Sequence, residues 1–123
     1  ECQAHDMDLI SMVAPTSQER AKMIAAEAEG FLYCVSSLGV TGVRSELSTA
    51  IGELIAQVKQ VKDIPCAIGF GIATPKQAQE MAAIADGAIV GSAVVRLIAE
   101  HGQESVPYVT EYVRQMKAAV RQV

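Results

Sequence analysis

Glycine and serine residues that can bind an anion follow three short apolar runs of this sequence. They occur at residues 36–42 (SSLGVTG), at residues 69–71 (GFG) and at Gly91 and Ser92. Glycine lets backbone N–H groups come close to phosphate oxygens. Gly91 and Ser92 also open a short helical pattern, where free N–H groups and the helix dipole favour an anion. Each glycine alone is compatible with a simple tight turn, but the three together predict a phosphate site.

The apolar runs that precede these residues are predicted to be β-strands. They lie at residues 9–13, 31–35, 65–68 and 87–90. Because they are apolar nearly throughout rather than alternating, we expect strands that are buried on both faces.

Helical patterns separate the strands, and several begin with capping signals. Thr16 with Glu19 and Thr74 with Gln77 have capping-box spacing, and Ser45 is a candidate cap for the helix between them. A last amphipathic helix is predicted from about residue 104. Its expected buried stripe is Val106, Val109, Val113, Met116 and Val120.

Strand and helix alternate four times, which predicts an α/β fold with a parallel sheet and right-handed crossovers. No linker interrupts residues 1–123, so we expect a single unit. An open doubly wound sheet and part of a closed (β/α)8 barrel both fit this order. A dinucleotide-binding open sheet would carry GxGxxG after its first strand, and this sequence does not. The short extra helix after the fourth strand favours the phosphate site of a barrel.

Composition narrows the possible functions. Half of the residues are hydrophobic, a fifth are charged and the formal net charge is −4. The sequence has no Lys/Arg cluster that could bind a nucleic acid, and it has no run of about 18 apolar residues that could span a membrane. Cys2, Cys34 and Cys66 lack metal-binding spacing, so we expect free thiols, no metal and a cytoplasmic location. The chain begins at Glu1 without an export leader, which suggests an excised or processed piece.

Four motifs resemble signature stretches of the tryptophan synthase α subunit family, in the family's order and approximate spacing. They are VAPTS (13–17), FLYCVSSLGVTG (31–42), IGFGI (68–72) and DGAIVGSA (86–93). The similarity runs from Met7 to the end of the chain. It implies the C-terminal half of a (β/α)8 TIM barrel, strands five to eight with their helices. The implied reaction is the retro-aldol cleavage of indole-3-glycerol phosphate to indole and glyceraldehyde 3-phosphate.

The resemblance also implies roles for individual residues. Backbone amides that match Gly42, Gly71, Gly91 and Ser92 hold the substrate phosphate. In the substrate pocket, Tyr33 lies by the catalytic aspartate, Phe70 borders the indole, and Thr41 belongs to a mobile lid. The family has no cofactor of its own and passes indole to a β subunit that carries pyridoxal phosphate.

Two departures from the family pattern affect these expectations. Many members have an arginine where this chain has Ser37. The catalytic glutamate and aspartate belong to strands two and three, so we expect no catalytic residue here and no activity of the chain alone. The alternatives are another phosphate-binding barrel, of the phosphoribosyl isomerase or indole-glycerol-phosphate synthase type, or a non-catalytic self-associating fragment. Exposed strand edges predict pairing with the missing N-terminal half or with a second copy.

A few remaining polar residues have predicted structural roles. Asp63 and Asp86 precede strands and are expected to stabilise the end of the sheet away from the site. Arg96 is predicted to be a surface or salt-bridging residue. The direction of the Tyr33 side chain, toward the barrel interior or toward the helices, stays open from the sequence.

Overall fold

The computed structural model describes residues 2–36, 44–69 and 71–123, and it contains four strands and five α-helices in that part of the chain. In order they are β1 (Met12–Val13), α1 (Gln18–Glu27), β2 (Leu32–Val35), α2 (Arg44–Val61), β3 (Cys66–Gly69), α3 (Pro75–Ala82), β4 (Gly87–Ala88), α4 (Ser92–His101) and α5 (Ser105–Val120). Three-residue 3-10 turns occupy Gln3–His5, Pro15–Ser17 and Gly102–Glu104.

The four strands form one parallel sheet in the order β1-β2-β3-β4. The predicted α/β fold with a parallel sheet is therefore confirmed. A doubly wound sheet reverses its strand order at a switch point, and this sheet has no reversal. The outer strands are shorter than predicted, since each pairs with its single neighbour over two residues only.

The two faces of the sheet have different surroundings. Val13, Cys34 and Ile68 form one row across the sheet and are buried in a single core with α1, α2, α3 and α5. The adjacent row contains Met12, which is 58% exposed, and Tyr33, which is half-buried. The expectation of strands buried on both faces was therefore wrong for this chain, because the helices cover one face only.

The predicted helix caps agree with the structure at α3 but not at α1 or α2. At α3, Gln77 N donates to Thr74 Oγ1 at 3.3 Å and Thr74 N donates to Gln77 Oε1 at 3.1 Å, so the capping box is confirmed. At α1 the predicted box is wrong. Residue 16 lies in a 3-10 turn, and the N-cap Ser17 makes no side-chain bond because its backbone is not extended. Ser45 is no cap either, since α2 begins one residue earlier.

The predicted buried stripe of the last helix is confirmed at Met116 and Val120, near the end of the helix. α5 packs against α3 and α4, with Met116 buried and Val120 partly buried in the core. Val106 is 70% exposed and Val113 is 48% exposed, so their predicted burial was wrong. These two valines lie on the same helix edge as Val120, at seven-residue spacing, and Val120 is the one of the three that packs against the core.

Polar contacts tie strands and helices together at the N-terminal end of the sheet. The Asp86 carboxylate accepts a hydrogen bond from Cys66 N at 2.8 Å and lies 2.9 Å from Lys59 Nζ. The Cys66 N–H and the Lys59 ammonium hold the pKa of Asp86 below its usual value. Lys62 Nζ adds a bond to Ala28 O at 2.6 Å. Asp86 therefore has the predicted structural role, whereas the exposed Asp63 lies 3.8 Å from Lys59 and contributes little.

No helix within the described ranges is long and apolar enough to cross a membrane.

Candidate anion-binding cleft

A cleft of about 380 Å³ opens at the C-terminal ends of the strands. Its lining is Tyr33, Gly71, Ile72, Ala73, Ile89, Gly91, Ser92, Ala93 and Arg96. The structure thus brings together four of the site residues predicted from the sequence: Tyr33, Gly71, Gly91 and Ser92. The other three, Thr41, Gly42 and Phe70, lie outside the described residues.

Gly91 and Ser92 place the start of a helix at the cleft. α4 begins at Ser92, and Gly91 is its N-cap. The first N–H groups of a helix have no partner within the helix and carry the positive end of its dipole. A Cβ added at Gly91 would meet no atom within 4 Å, so this backbone is open to the cleft. The local geometry therefore suits an anion.

The loop between β3 and α3 supplies Gly71 to the cleft. Gly71 has φ +76°, in the left-handed region that favours glycine. The next residue, Ile72, is buried in the core and anchors this segment. Ala73 N then donates to Gln77 Oε1 at 2.9 Å, in addition to the Thr74 capping box. The residues that follow Gly71 are therefore held by burial and by hydrogen bonds to Gln77.

Tyr33 faces the cleft and not the helices, which resolves the alternative that the sequence left open. It alternates with the buried Leu32 and Cys34 along β2, so its side chain lies on the other face of the sheet. Its ring lies over Gly69, where an added Cβ would overlap the tyrosine hydroxyl. Ser36 Oγ donates to Gly69 O at 2.9 Å and ties the two strand ends together. Glycine at position 69 is thus required for Tyr33 to take this position.

Arg96 is an exposed residue, as the sequence predicted, but it also lines the cleft, which the sequence did not predict. It forms no ion pair with the described residues. It follows Ser92 by four residues on α4, a spacing that puts both side chains on one helix face. That spacing was the available signal. Arg96 adds a full positive charge beside the backbone N–H groups.

The cleft has binding groups but no acid or base of the carboxylate kind among its described lining residues. Elsewhere in the described segments, no group of three His, Cys, Asp or Glu side chains is arranged to hold a metal ion. Backbone amides, a serine hydroxyl and a guanidinium are the groups that proteins use to hold phosphate. The described lining of the cleft therefore suits an anion.

The family model described as "Tryptophan synthase alpha chain" matches residues 1–121 of this chain. The chain belongs to the tryptophan synthase alpha chain family. This assignment confirms the resemblance that the four sequence motifs carry.

Individual relatives agree with the family model. The chain is 46% identical over 116 residues to the tryptophan synthase alpha chain of Lacticaseibacillus casei, which covers 94% of this chain and 44% of that protein. Tryptophan synthase subunit alpha from Campylobacter jejuni superposes with a TM-score of 0.84 at 27% identity, over 94% of this chain and 46% of that one. A Mycobacterium tuberculosis tryptophan synthase structure superposes with a TM-score of 0.78 at 38% identity, over 97% of this chain and 44% of that one. The chain spans less than half the length of each of these proteins.

Proposed function

We propose that this chain is the phosphate-binding half of a tryptophan synthase α barrel. In the intact protein, the barrel would cleave indole-3-glycerol phosphate to indole and glyceraldehyde 3-phosphate, a lyase step of tryptophan biosynthesis. The observation that carries the proposal is the convergence of Gly71, Gly91, Ser92 and Tyr33 on one cleft in a chain of this family. The same family match favours this function over that of a phosphoribosyl isomerase or an indole-glycerol-phosphate synthase.

The sheet supports the assignment of its strands to positions five to eight of a barrel. Consecutive parallel strands with helices on one face are the arrangement of a barrel wall. The opposite face carries the exposed Met12 and the half-buried Tyr33, which would point into the barrel interior. Residues 1–123 would then be one unit of an incomplete domain, with β1 and β4 as its open edges.

The substrate would be held at its two ends. The phosphate would accept hydrogen bonds from the amides of Gly42, Gly71, Gly91 and Ser92, with Thr41 in the lid above it. The indole would lie against Phe70, and Tyr33 would stand beside the reacting glycerol carbons. In this family the α chain has no cofactor of its own, and pyridoxal phosphate belongs to the β subunit.

The chain alone would bind but not cleave the substrate. General acid–base catalysis needs a carboxylate or similar group within hydrogen-bond reach of the reacting atoms, and the described cleft lining contains none. The catalytic glutamate and aspartate would come from the other half of the barrel. The buried thiols of Cys34 and Cys66 fit a reducing, cytoplasmic location.

The partners of the chain would be set by its uncovered face. Leu9 and Met12 are exposed apolar residues next to and within the edge strand β1, and such edges associate readily. We expect pairing with the missing N-terminal half, or with a second copy when that half is absent. In the whole enzyme the β subunit would receive the indole. Sedimentation equilibrium tests the pairing, and a stable 13.0 kDa monomer would contradict it.

A titration followed by amide chemical shifts tests the binding proposal. Indole-3-glycerol phosphate and glycerol 3-phosphate should both shift the amide signals of Gly71, Gly91 and Ser92. Indole alone should leave them unchanged, because it has no phosphate. The amide of Gly102, in the turn between α4 and α5, is an internal reference that should not move. Shifts at these glycines with a phosphoribosyl compound but not with indole-3-glycerol phosphate would favour a different phosphate-binding barrel.

A further inference from the structure

In the loop that joins β3 to α3, both backbone polar groups of Ala73 form hydrogen bonds to side chains. Ala73 N donates to Gln77 Oε1 at 2.9 Å, and the Tyr112 hydroxyl of α5 donates to Ala73 O at 2.8 Å. Gly71 lies two residues earlier in the same loop and lines the cleft with its left-handed backbone. One side chain of the last helix therefore holds the loop that brings Gly71 to the anion cleft.

We propose that Tyr112 is a positioning residue for the anion cleft, acting through Ala73 on the backbone at Gly71. The inference rests on the proposed function, because it requires a phosphate to bind in this cleft. Tyr112 is not among the residues that line the cleft, so its effect on the ligand is indirect.

The hydroxyl of Tyr112 and its ring make different contacts. The ring is partly buried and packs against the hydrophobic core, where phenylalanine would pack as well. The hydroxyl adds one directed bond to a carbonyl of the loop. Burial raises the pKa of Tyr112 above its usual value, so the hydroxyl stays protonated at neutral pH and continues to donate.

Loss of that bond would leave the Ala73 carbonyl without its fixed partner on α5. The loop would still be held by the buried Ile72 and by the bonds from Ala73 N and Thr74 N to Gln77 Oε1. The Ala73 carbonyl lies in an exposed part of the loop and can bond to water instead. The fold should therefore lose little stability, whereas the conformation at Gly71 should become less uniform and bind phosphate less well.

The variant Tyr112→Phe tests this role, because it removes the hydroxyl and keeps the ring. Affinity for inorganic phosphate, measured on the 123-residue chain by amide shifts, should fall about three- to tenfold. Hydrogen exchange at the amides of Ala73 and Thr74 should become faster than in the unmodified chain. Tyr108→Phe is the matched control on the same helix. The Tyr108 ring stacks on His101, and its hydroxyl donates to none of the described residues.

The outcomes separate this inference from the function on which it rests. If the unmodified chain binds phosphate and Gly91→Val weakens that binding, but Tyr112→Phe leaves both affinity and exchange unchanged, Tyr112 has no positioning role. The same holds if Tyr108→Phe weakens binding as much as Tyr112→Phe. If the unmodified chain shows no phosphate-dependent shifts at Gly71, Gly91 or Ser92, the proposed function and this inference both fail.

Discussion

The variant Gly91→Val should change anion binding without preventing folding, since the space that valine would fill is empty in the structure and would belong to the phosphate in the proposed site. Gly91 has φ −118° and ψ −67°, which other residues adopt, and its added Cβ would meet no atom within 4 Å. The fold should therefore tolerate Gly91→Val. Valine is a poorer N-cap than glycine, so we expect a loss of stability of at most about 1 kcal/mol.

The effect on the anion should be much larger. A side chain at position 91 would stand where phosphate oxygens approach the N–H groups of Gly91 and Ser92. Each charge-assisted hydrogen bond contributes about 1.5–3 kcal/mol. Losing one of them would weaken binding by about tenfold to somewhat more than a hundredfold.

The assay is a titration with glycerol 3-phosphate, followed by amide shifts, alongside urea unfolding of each variant. Gly52→Val is the matched control, because an added Cβ at Gly52 also meets nothing within 4 Å and the residue lies in α2. The control should bind as the unmodified chain does. Unchanged affinity in Gly91→Val would refute the assignment of this helix start as the phosphate site, and so would an equal loss in both variants.

Three further predictions concern charge, pH and thiols. Arg96→Gln should weaken phosphate binding about three- to thirtyfold, and the loss should be smaller at high salt. Arg114→Gln is the control, because it loses only a surface ion pair on α5, and its phosphate titration curve should match that of the unmodified chain. Asp86→Asn should lower stability at pH 7 by at most about 1 kcal/mol, since the Asp86 side chain is 49% exposed. The pKa of Asp86 in the folded chain is lowered from its ordinary value of 3.8, so its stabilising contribution is present above pH 3.8 and is lost as the pH falls through the folded pKa. Urea unfolding should therefore show a smaller stability difference between the variant and the unmodified chain at pH 3 than at pH 7, and an unchanged difference would contradict this. Burial raises the pKa of Cys34 to about 12. Ellman's reagent at pH 8 should therefore modify Cys2 and leave Cys34 unmodified until the chain unfolds. Rapid modification of both thiols in the folded chain would contradict the burial of Cys34.

The sequence predicted the order of elements and the place of the site because both depend on local signals. Apolar runs with glycine at their ends marked the strands, and the Thr74–Gln77 spacing marked the start of α3. Strand ends of a parallel sheet meet at one edge, so the glycines that follow them had to converge.

The features that the sequence did not predict have a common physical cause. A sequence shows which residues are polar or apolar, but it does not show which neighbouring element covers each of them. β2 is apolar on both faces, so alternation could not tell that Tyr33 lies opposite Cys34 on the open side. Val106 and Val113 belong to the same apolar stripe as Met116 and Val120, which pack against the core, but these two valines are exposed. Arg96 is exposed as predicted, but its charge pattern alone did not show that it lines the same cleft as Ser92.

Reconstitution of the barrel tests the central claim most directly. The chain would be mixed with a separately produced N-terminal part of the Lacticaseibacillus casei relative, the part that precedes the matched segment. Both pieces would come from a host that lacks its own tryptophan synthase α. With indole-3-glycerol phosphate, each piece alone should give no indole, whereas the complex should release it, and less so when the chain carries Gly91→Val. Indole from the chain alone, or a stable complex that neither binds the substrate nor releases indole, would contradict the account.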